Sequence, residues 1–330
     1  MSPRMAMTTR VHLPTQRISI SVRAHCVLSL AWPRTPRLCW HRLPRRFGCS
    51  SSTCDLSACW HGCASRIDCR SEMEQKPYSK LAQVYDIGWG DFAESCQSFM
   101  SETLSSYGIV SGKLLELACG TGILATHLAR LGHVVLGIDR SPEMIEVASS
   151  RGAHVSGVQF EIADMRAFAL GSQFDAVLCL FDSLNYLTVL DDVEQTFRSV
   201  SSLLRCGGLF IFDFNRPLIY SAHNGETLSM KIDGGVLKQK LHYEVASRLA
   251  RTVFRFPDGD VETHVQRGYE LADLQPLLEG ARLALREQYA SFSRRAVSSL
   301  SERIVCVCQK ISSTRQARGE GTRSLVIDSS

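Results

Sequence analysis

Pairs of cysteines at metal-binding spacing are missing from this chain. Thirteen cysteines are present, but none stands three residues from another, so no CxxC pair signals a zinc site. Cys306 and Cys308 alternate along an apolar stretch and are not spaced as a metal pair. No apolar run approaches the roughly 18 residues that a membrane-spanning helix needs, and no membrane partner is expected. Positive charge is missing where it would matter. The formal net charge is +4, yet residues 1–72 hold eleven Arg, no Lys and three acids (Asp55, Asp68, Glu72), so the remainder carries about −4. A mildly acidic body argues against a broad phosphate-binding face, and no nucleic acid is expected as partner.

The leading segment lacks periodicity too. Residues 1–72 hold seven of the cysteines, half of the prolines and three of the four tryptophans, with no sustained repeat of 2 or 3.6. Three readings compete for it. Arg-rich, Ser-containing, acid-poor composition matches an organellar transit peptide, which would imply a mitochondrial location. It could equally be a disordered extension. The favoured reading takes Met73 as the true start, because every recognisable pattern begins just after Glu74-Gln-Lys-Pro-Tyr78. Core cysteines left unpaired in sequence point to a reducing cytoplasm. The tail from Ile311 is rich in Ser, Arg and Gly and reads as disordered. The folded domain is thus expected over 73–310.

What is present is organised around Leu114 to Asp139. Leu114, Leu115 and Leu117 read as a buried strand; Gly120 and Gly122 flank Thr121 in a tight turn. Ile123, Leu124, Leu128 and Leu131 follow at near-helical spacing, and Val134 to Ile138 forms a second strand ending in Asp139. Strand, glycine turn, helix, strand and acid make a nucleotide-binding half of a doubly wound sheet. Two cofactors fit such a half. Read as GxGxxA, Gly120, Gly122 and Ala125 would seat a dinucleotide pyrophosphate on the helix N-terminus, with Asp139 on the ribose. Glu116 opposes that reading, because a carboxylate there repels phosphate and suits a cation.

From Glu116 to Gly122, Glu-Leu-Ala-Cys-Gly-Thr-Gly resembles the first motif of class I S-adenosylmethionine-dependent methyltransferases, with Ala118 in place of the usual first glycine. The resemblance runs from about Tyr78 to Lys310. Phe160-Glu-Ile-Ala-Asp164-Met165 is similar to the family's third-strand end, where an Asp meets the adenine amino group and the next amide meets the ring. Phe174 to Leu180 reads as a central buried strand, and Cys206-Gly-Gly208 before Leu209 to Asp213 as the turn into strand five. The resemblance implies a Rossmann-like, doubly wound seven-stranded α/β sheet with its last strand antiparallel. It implies S-adenosylmethionine as cofactor, held by Glu116, Ala118, Gly120, Gly122, Asp139, Arg140, Met144, Asp164, Met165 and Leu180. Tyr-xx-Leu-Ala-xx-Tyr-Asp, from Tyr78 to Asp86, resembles a lid helix over the cofactor, so Tyr78 and Tyr85 join that set. Packing onto the sheet is the plainer role for both.

The remaining patterns concern the methyl acceptor. Phe181-Asp-Ser-Leu-Asn-Tyr186 follows the fourth strand, where open α/β sheets place ligands; Asn185 and Tyr186, with Asp182, could align a nucleophile, or simply form a turn. Between Gly225 and Glu270, four apolar–polar alternating stretches separated by Gly234-Gly235 and Pro257-Asp-Gly259 predict an antiparallel β-meander inserted as a substrate cap over about 221–270. His242, Tyr243 and His264 lie in it as possible base-like groups, although a lone residue of this kind is more often structural or exposed. Ser141 and Pro142 predict a capped helix N-terminus, and helices are expected near 91–107, 191–204 and 271–279. Methyl transfer needs mainly alignment and exclusion of water, so no metal is expected. The closest resemblance is to methyltransferase-25-like enzymes and aminosugar N-methyltransferases. It implies transfer to N or O of a small molecule by a monomer or homodimer. An RNA or protein methyltransferase of the same fold, or an NAD-dependent oxidoreductase, is the alternative.

Overall fold

The computed structural model describes residues 74–312, except 169 and 172; of Glu74 and Gln75 only the backbone is described. The expectations for residues 1–72 and for the tail beyond 312 fall outside these residues. The elements are β1 (Glu74–Gln75), α1 (Tyr85–Ser95), α2 (Gln97–Ser106), β2 (Lys113–Leu117), α3 (Ile123–Arg130), β3 (Val134–Asp139), α4 (Pro142–Gly152), β4 (Val158–Ile162) and β5 (Phe174–Cys179). They continue as α5 (Leu190–Leu203), β6 (Leu204–Asn215), α6 (Pro217–Ala222), β7 (Thr227–Ile232), β8 (Gly235–Glu244), β9 (Leu249–Arg255), β10 (Val261–Arg267), α7 (Leu271–Gly280), β11 (Leu283–Ala290) and β12 (Arg303–Lys310).

Seven strands form the main sheet in the order β11-β12-β6-β5-β2-β3-β4. β4 through β6 pair in parallel, while β12 runs antiparallel to both β6 and β11. This is the expected doubly wound sheet with its final strand reversed. Central strands carry near-continuous apolar runs, interrupted by Glu116 in β2 and Asp175 in β5, because helices cover both faces. On one face Phe99, Met100 and Leu104 of α2 meet Leu124 and Leu128 of α3; on the other Phe197 and Val200 of α5 meet Leu274 and Leu278 of α7. Phe197, Phe210, Phe212 and Phe214 are fully buried, each contributing roughly 2–3 kcal/mol by leaving water. Ser141 caps α4 as expected, its hydroxyl accepting from Met144 N at 3.2 Å, with Pro142 at the first helical position.

The inserted meander forms a second sheet, β1-β10-β9-β8-β7. Its four long strands are antiparallel; β1 adds to the edge in parallel with β10, which no pattern around Glu74 signalled. Helix boundaries near the start also differ from expectation. Tyr78 takes a left-handed φ of 66° and begins no helix; a 3-10 turn covers Leu81–Gln83 before α1. The helix expected over 91–107 is two, broken at Cys96, whose buried side chain is packed beside Phe99 and Met100.

Candidate functional site

The parallel strands end at one edge, and between β2 and β5 the strand order reverses, so a crevice opens there. Ten of the twelve residues expected at the cofactor line this crevice: Tyr78, Tyr85, Glu116, Ala118, Gly120, Asp139, Arg140, Met144, Asp164 and Met165. Gly122 and Leu180 are not among its lining residues. Gly122 lies behind it, where an added Cβ would stand 2.7 Å from the Phe160 ring and 3.0 Å from Ala148 Cβ. Leu180 is buried in the core beneath.

The glycine turn explains itself residue by residue. Ala118, Gly120 and Gly122 all have left-handed φ, of 51°, 52° and 73°. Glycine is the relaxed choice at each, and Ala118 holds its place at a cost of order 1 kcal/mol. A Cβ on Gly120 would meet nothing within 4 Å: the turn's backbone faces open cavity. Asp139 fixes the turn's shape, accepting from Gly120 N at 3.0 Å and Ser141 N at 2.9 Å. Burial pushes its carboxyl above the usual range.

Glu116 is the unusual charge. It is 2% exposed, and its Oε2 has no hydrogen-bond partner. Desolvation pushes its pKa up to about 8, the Coulombic effect of Asp139 adding to the rise against a backbone hydrogen bond from Ala125. A buried carboxylate oxygen aimed into a cavity beside glycine backbone suits a ligand that is cationic at that end and carries no phosphate. Asp164 is already engaged: Arg166 chelates it with Nε at 3.0 and 3.1 Å from its two oxygens and also reaches Asp192. That bonding holds Asp164 below the usual carboxylate range. Only part of its acceptor capacity faces the cavity.

A second cavity adjoins the first, between the two sheets. They share Tyr78, Tyr85, Trp89, Phe92, Phe181 and Tyr186 as a common wall. β8–β10 close the far side with Gln239, Leu241, Thr252, Phe254, His264 and Gln266. Asp182 reaches Gln266 Nε2 at 2.6 Å and Arg303 at 2.7 Å; Arg303 also pairs with fully buried Asp213. The lid is latched from the other side, Asp86 accepting from the Thr121 hydroxyl at 2.7 Å and pairing with Arg151.

Of the acceptor-side candidates, Tyr186 and His264 come together. Tyr186 hydroxyl lies 2.8 Å from His264 Nδ1 and 2.5 Å from Tyr78 hydroxyl. Asn185 does not face either cavity. It is buried and braces the backbones of two strands, donating to Asn215 O and Arg267 O and accepting from Asn215 N. His242 is exposed on β8, pointing away from the site because strand residues alternate and Leu241 and Tyr243 take the inner face. Tyr243 stacks behind Tyr220 at 5.7 Å. Sequence reasoning missed Trp89, Phe92, Phe181 and Glu262. Trp89 had a signal: it is the sole Trp after residue 72 and lies four residues from Tyr85, on which it stacks at 5.1 Å.

The profile of the methyltransferase-domain family matches residues 114–208, the segment that builds the crevice. A methyltransferase-family protein of Geobacillus sp. (strain WCH70) is 31% identical over 249 residues, covering 71% of this chain and 99% of the relative. The chain belongs to the class I S-adenosylmethionine-dependent methyltransferases. The methyltransferase fold recurs in a Clostridium acetobutylicum S-adenosylmethionine-dependent methyltransferase with TM-score 0.63 at 24% identity, covering 71% of this chain and 99% of that one. It recurs also in SAM-bound CalS10, an amino pentose methyltransferase from Micromonospora echinaspora (TM-score 0.52, 20% identity, 69% and 95% covered). These two likenesses concern the fold. The methyl donor of this methyltransferase is S-adenosylmethionine, and the buried Glu116 carboxylate matches its cationic end. Among the described residues no group of His, Cys, Asp or Glu could hold a metal, and no helix is long and apolar enough to cross a membrane.

Proposed function

We propose that this methyltransferase alkylates a nitrogen or hydroxyl oxygen of a small molecule bound in the second cavity. The observation that carries this reading is the shared aromatic wall: an acceptor between the sheets would touch the cofactor crevice only past Tyr78, Trp89, Phe181 and Tyr186. Bound S-adenosylmethionine supplies an activated methyl group on sulfur. The chain's own residues then position and exclude water. Glu116, Gly120 and Asp139 hold the donor, and Tyr85 and Trp89 of α1 cover it. Asp182 and Arg303 both line this cavity and pair with each other, so its charge is close to balanced and suits a neutral amine or hydroxyl better than an acid. The aminosugar class fits this reading, CalS10 acting on an amino pentose. RNA is disfavoured by the acidic body of the chain, and NAD by Glu116 beneath the glycine turn.

The test uses the full chain with methyl-labelled S-adenosylmethionine and a panel of amine- and hydroxyl-bearing sugars and metabolites, beside total RNA and protein. Label should appear in a small amine or hydroxyl compound, and Asp139→Ala should abolish transfer while the protein remains folded. Label confined to RNA or protein, or tight NAD binding, would overturn the proposal.

A further inference from the structure

One buried row of polar groups crosses the junction of the two cavities and ends on a residue no motif singled out. Glu262 is fully buried on β10. Its carboxylate accepts from Tyr78 N at 3.0 Å, Leu81 N at 2.9 Å and Lys80 N, and from the Ser79 hydroxyl at 3.3 Å. The same carboxylate lies 3.3 Å from His264 Nε2. His264 is 2% exposed, edge-on to Tyr78 at 4.6 Å and Phe254 at 4.9 Å. The directions of the bonds follow from chemistry. A carboxylate can only accept, so Nε2 carries the imidazole proton; Nδ1 then accepts from Tyr186, whose oxygen accepts from Tyr78.

We propose that His264 is the proton acceptor for methyl transfer, working through Tyr186, and that Glu262 both orients it and locks the lid over it. The proposal rests on the acceptor-cavity reading above. Burial pushes the phenols of Tyr78 and Tyr186 well above their usual pKa, so they pass a proton along without holding the charge. As an acceptor N–H or O–H attacks, its proton moves to the Tyr186 oxygen while the Tyr186 proton moves to His264 Nδ1. The new bond to the methyl carbon forms as the carbon–sulfur bond breaks, with the electron pair staying on sulfur. The positive charge that began on sulfur ends on an imidazolium facing Glu262. Burial opposes ionisation of Glu262, but bonds from His264, Leu81 and Lys80 outweigh it and hold the carboxyl below its usual range. The titratable groups facing His264 are Glu262 on its own strand, Tyr78 from the lid and Tyr186 from the loop after β5; β9 contributes Thr252, opposite it in register, and Phe254, neither of them titratable. Asp182 is the next charge, beside the Tyr186 phenol.

The geometry couples base to lid. Four of the carboxylate's donors, three of them backbone amides, belong to the Tyr78–Leu81 segment, so the imidazole is held in place only when that segment has closed and water is shut out.

The experiment has two arms on the full chain. With ¹⁵N-labelled histidine, His264 should show the Nε2–H tautomer in the neutral form, and Glu262→Gln should mix the tautomers. On an acceptor found in the screen above, His264→Gln and Tyr186→Phe should each lower kcat by roughly 10²–10⁴ and flatten the acidic limb of the pH–rate profile. S-adenosylhomocysteine affinity and melting temperature report that the variants fold. Transfer rates within a few-fold of wild type and an unchanged pH profile would overturn the relay, as would the opposite tautomer. The Nε2–H tautomer, lost in Glu262→Gln, in a chain that methylates no small molecule would sink the acceptor reading while supporting the hydrogen-bonded row.

Discussion

Glu116 carries the sharpest consequence at the scale of single residues. Its carboxyl titrates near 8 when buried without a counter-charge, against about 4.3 in an unfolded chain. Between those values the folded protein holds a proton that the unfolded chain has released. Stability without cofactor should therefore fall as pH rises through that window, by an amount on the order of a few kcal/mol. Glu116→Gln should remove most of this slope, Asp139 retaining a smaller one of the same sign because its carboxyl is also raised. A cation against Oε2 favours the ionised form, so cofactor binding near neutral pH should release a proton. Thermal melts across the window, and titration calorimetry of S-adenosylmethionine in buffers of different ionisation heat, measure both. Identical slopes in wild type and Glu116→Gln would refute the assignment. The chemical identity of this residue was legible in the sequence because an acid before small residues is a local pattern. Its orphaned oxygen was not, since that depends on which distant atoms fail to approach it.

At the scale of elements, the β2–turn–α3 unit separates two uses of glycine that the sequence writes with one letter. Gly120 faces the cavity, whereas Gly122 backs onto Phe160 of β4 and Ala148 of α4. Gly120→Ala should cost about 1 kcal/mol in stability, from its positive φ alone, and weaken S-adenosylhomocysteine binding by intruding on the ligand. Gly122→Ala adds overpacking against the sheet and should destabilise by about 2–4 kcal/mol. Denaturant unfolding of the two variants, with binding measured on each, checks the division; equal stability losses would contradict it. The boundaries of α1 and α2 show the complementary limit. Leu81, Val84 and Tyr85 share a helical face, but tertiary contacts decide the local shape: Leu81 is buried beside Phe254 of β9 and Phe256 just after it, and Glu262 gathers the amides of Tyr78, Lys80 and Leu81. A long-range carboxylate thus overrides local helical spacing.

The whole molecule divides its labour between two sheets. The main sheet and its turn line the first crevice; β8–β10 line the second cavity, the one proposed for the acceptor, with residues that do not touch the crevice. Gln239, on β8, lines only the second cavity. Gln239→Leu should therefore alter acceptor KM or preference by several-fold while leaving S-adenosylhomocysteine affinity within about twofold, since a single polar contact is worth about 0.5–1.5 kcal/mol. Parallel steady-state and binding measurements test this, and a large loss of cofactor affinity would show that the cavities are one site. The reversed last strand and the residues named for the cofactor came with the family resemblance of the motifs; the sequence by itself determined the nucleotide-binding half of the doubly wound sheet and the antiparallel meander. Their signals are short-range: apolar runs, periodicity, and a strand–turn–helix of fixed length. Only the tertiary structure decided that Asn185 braces backbone, that His242 faces solvent while His264 meets Tyr186, and that Glu262 joins the Tyr78–Leu81 segment to His264. Those pairings span 30 to 184 residues of chain. Contacts of that separation arise from how two sheets pack, which no local pattern of residues encodes.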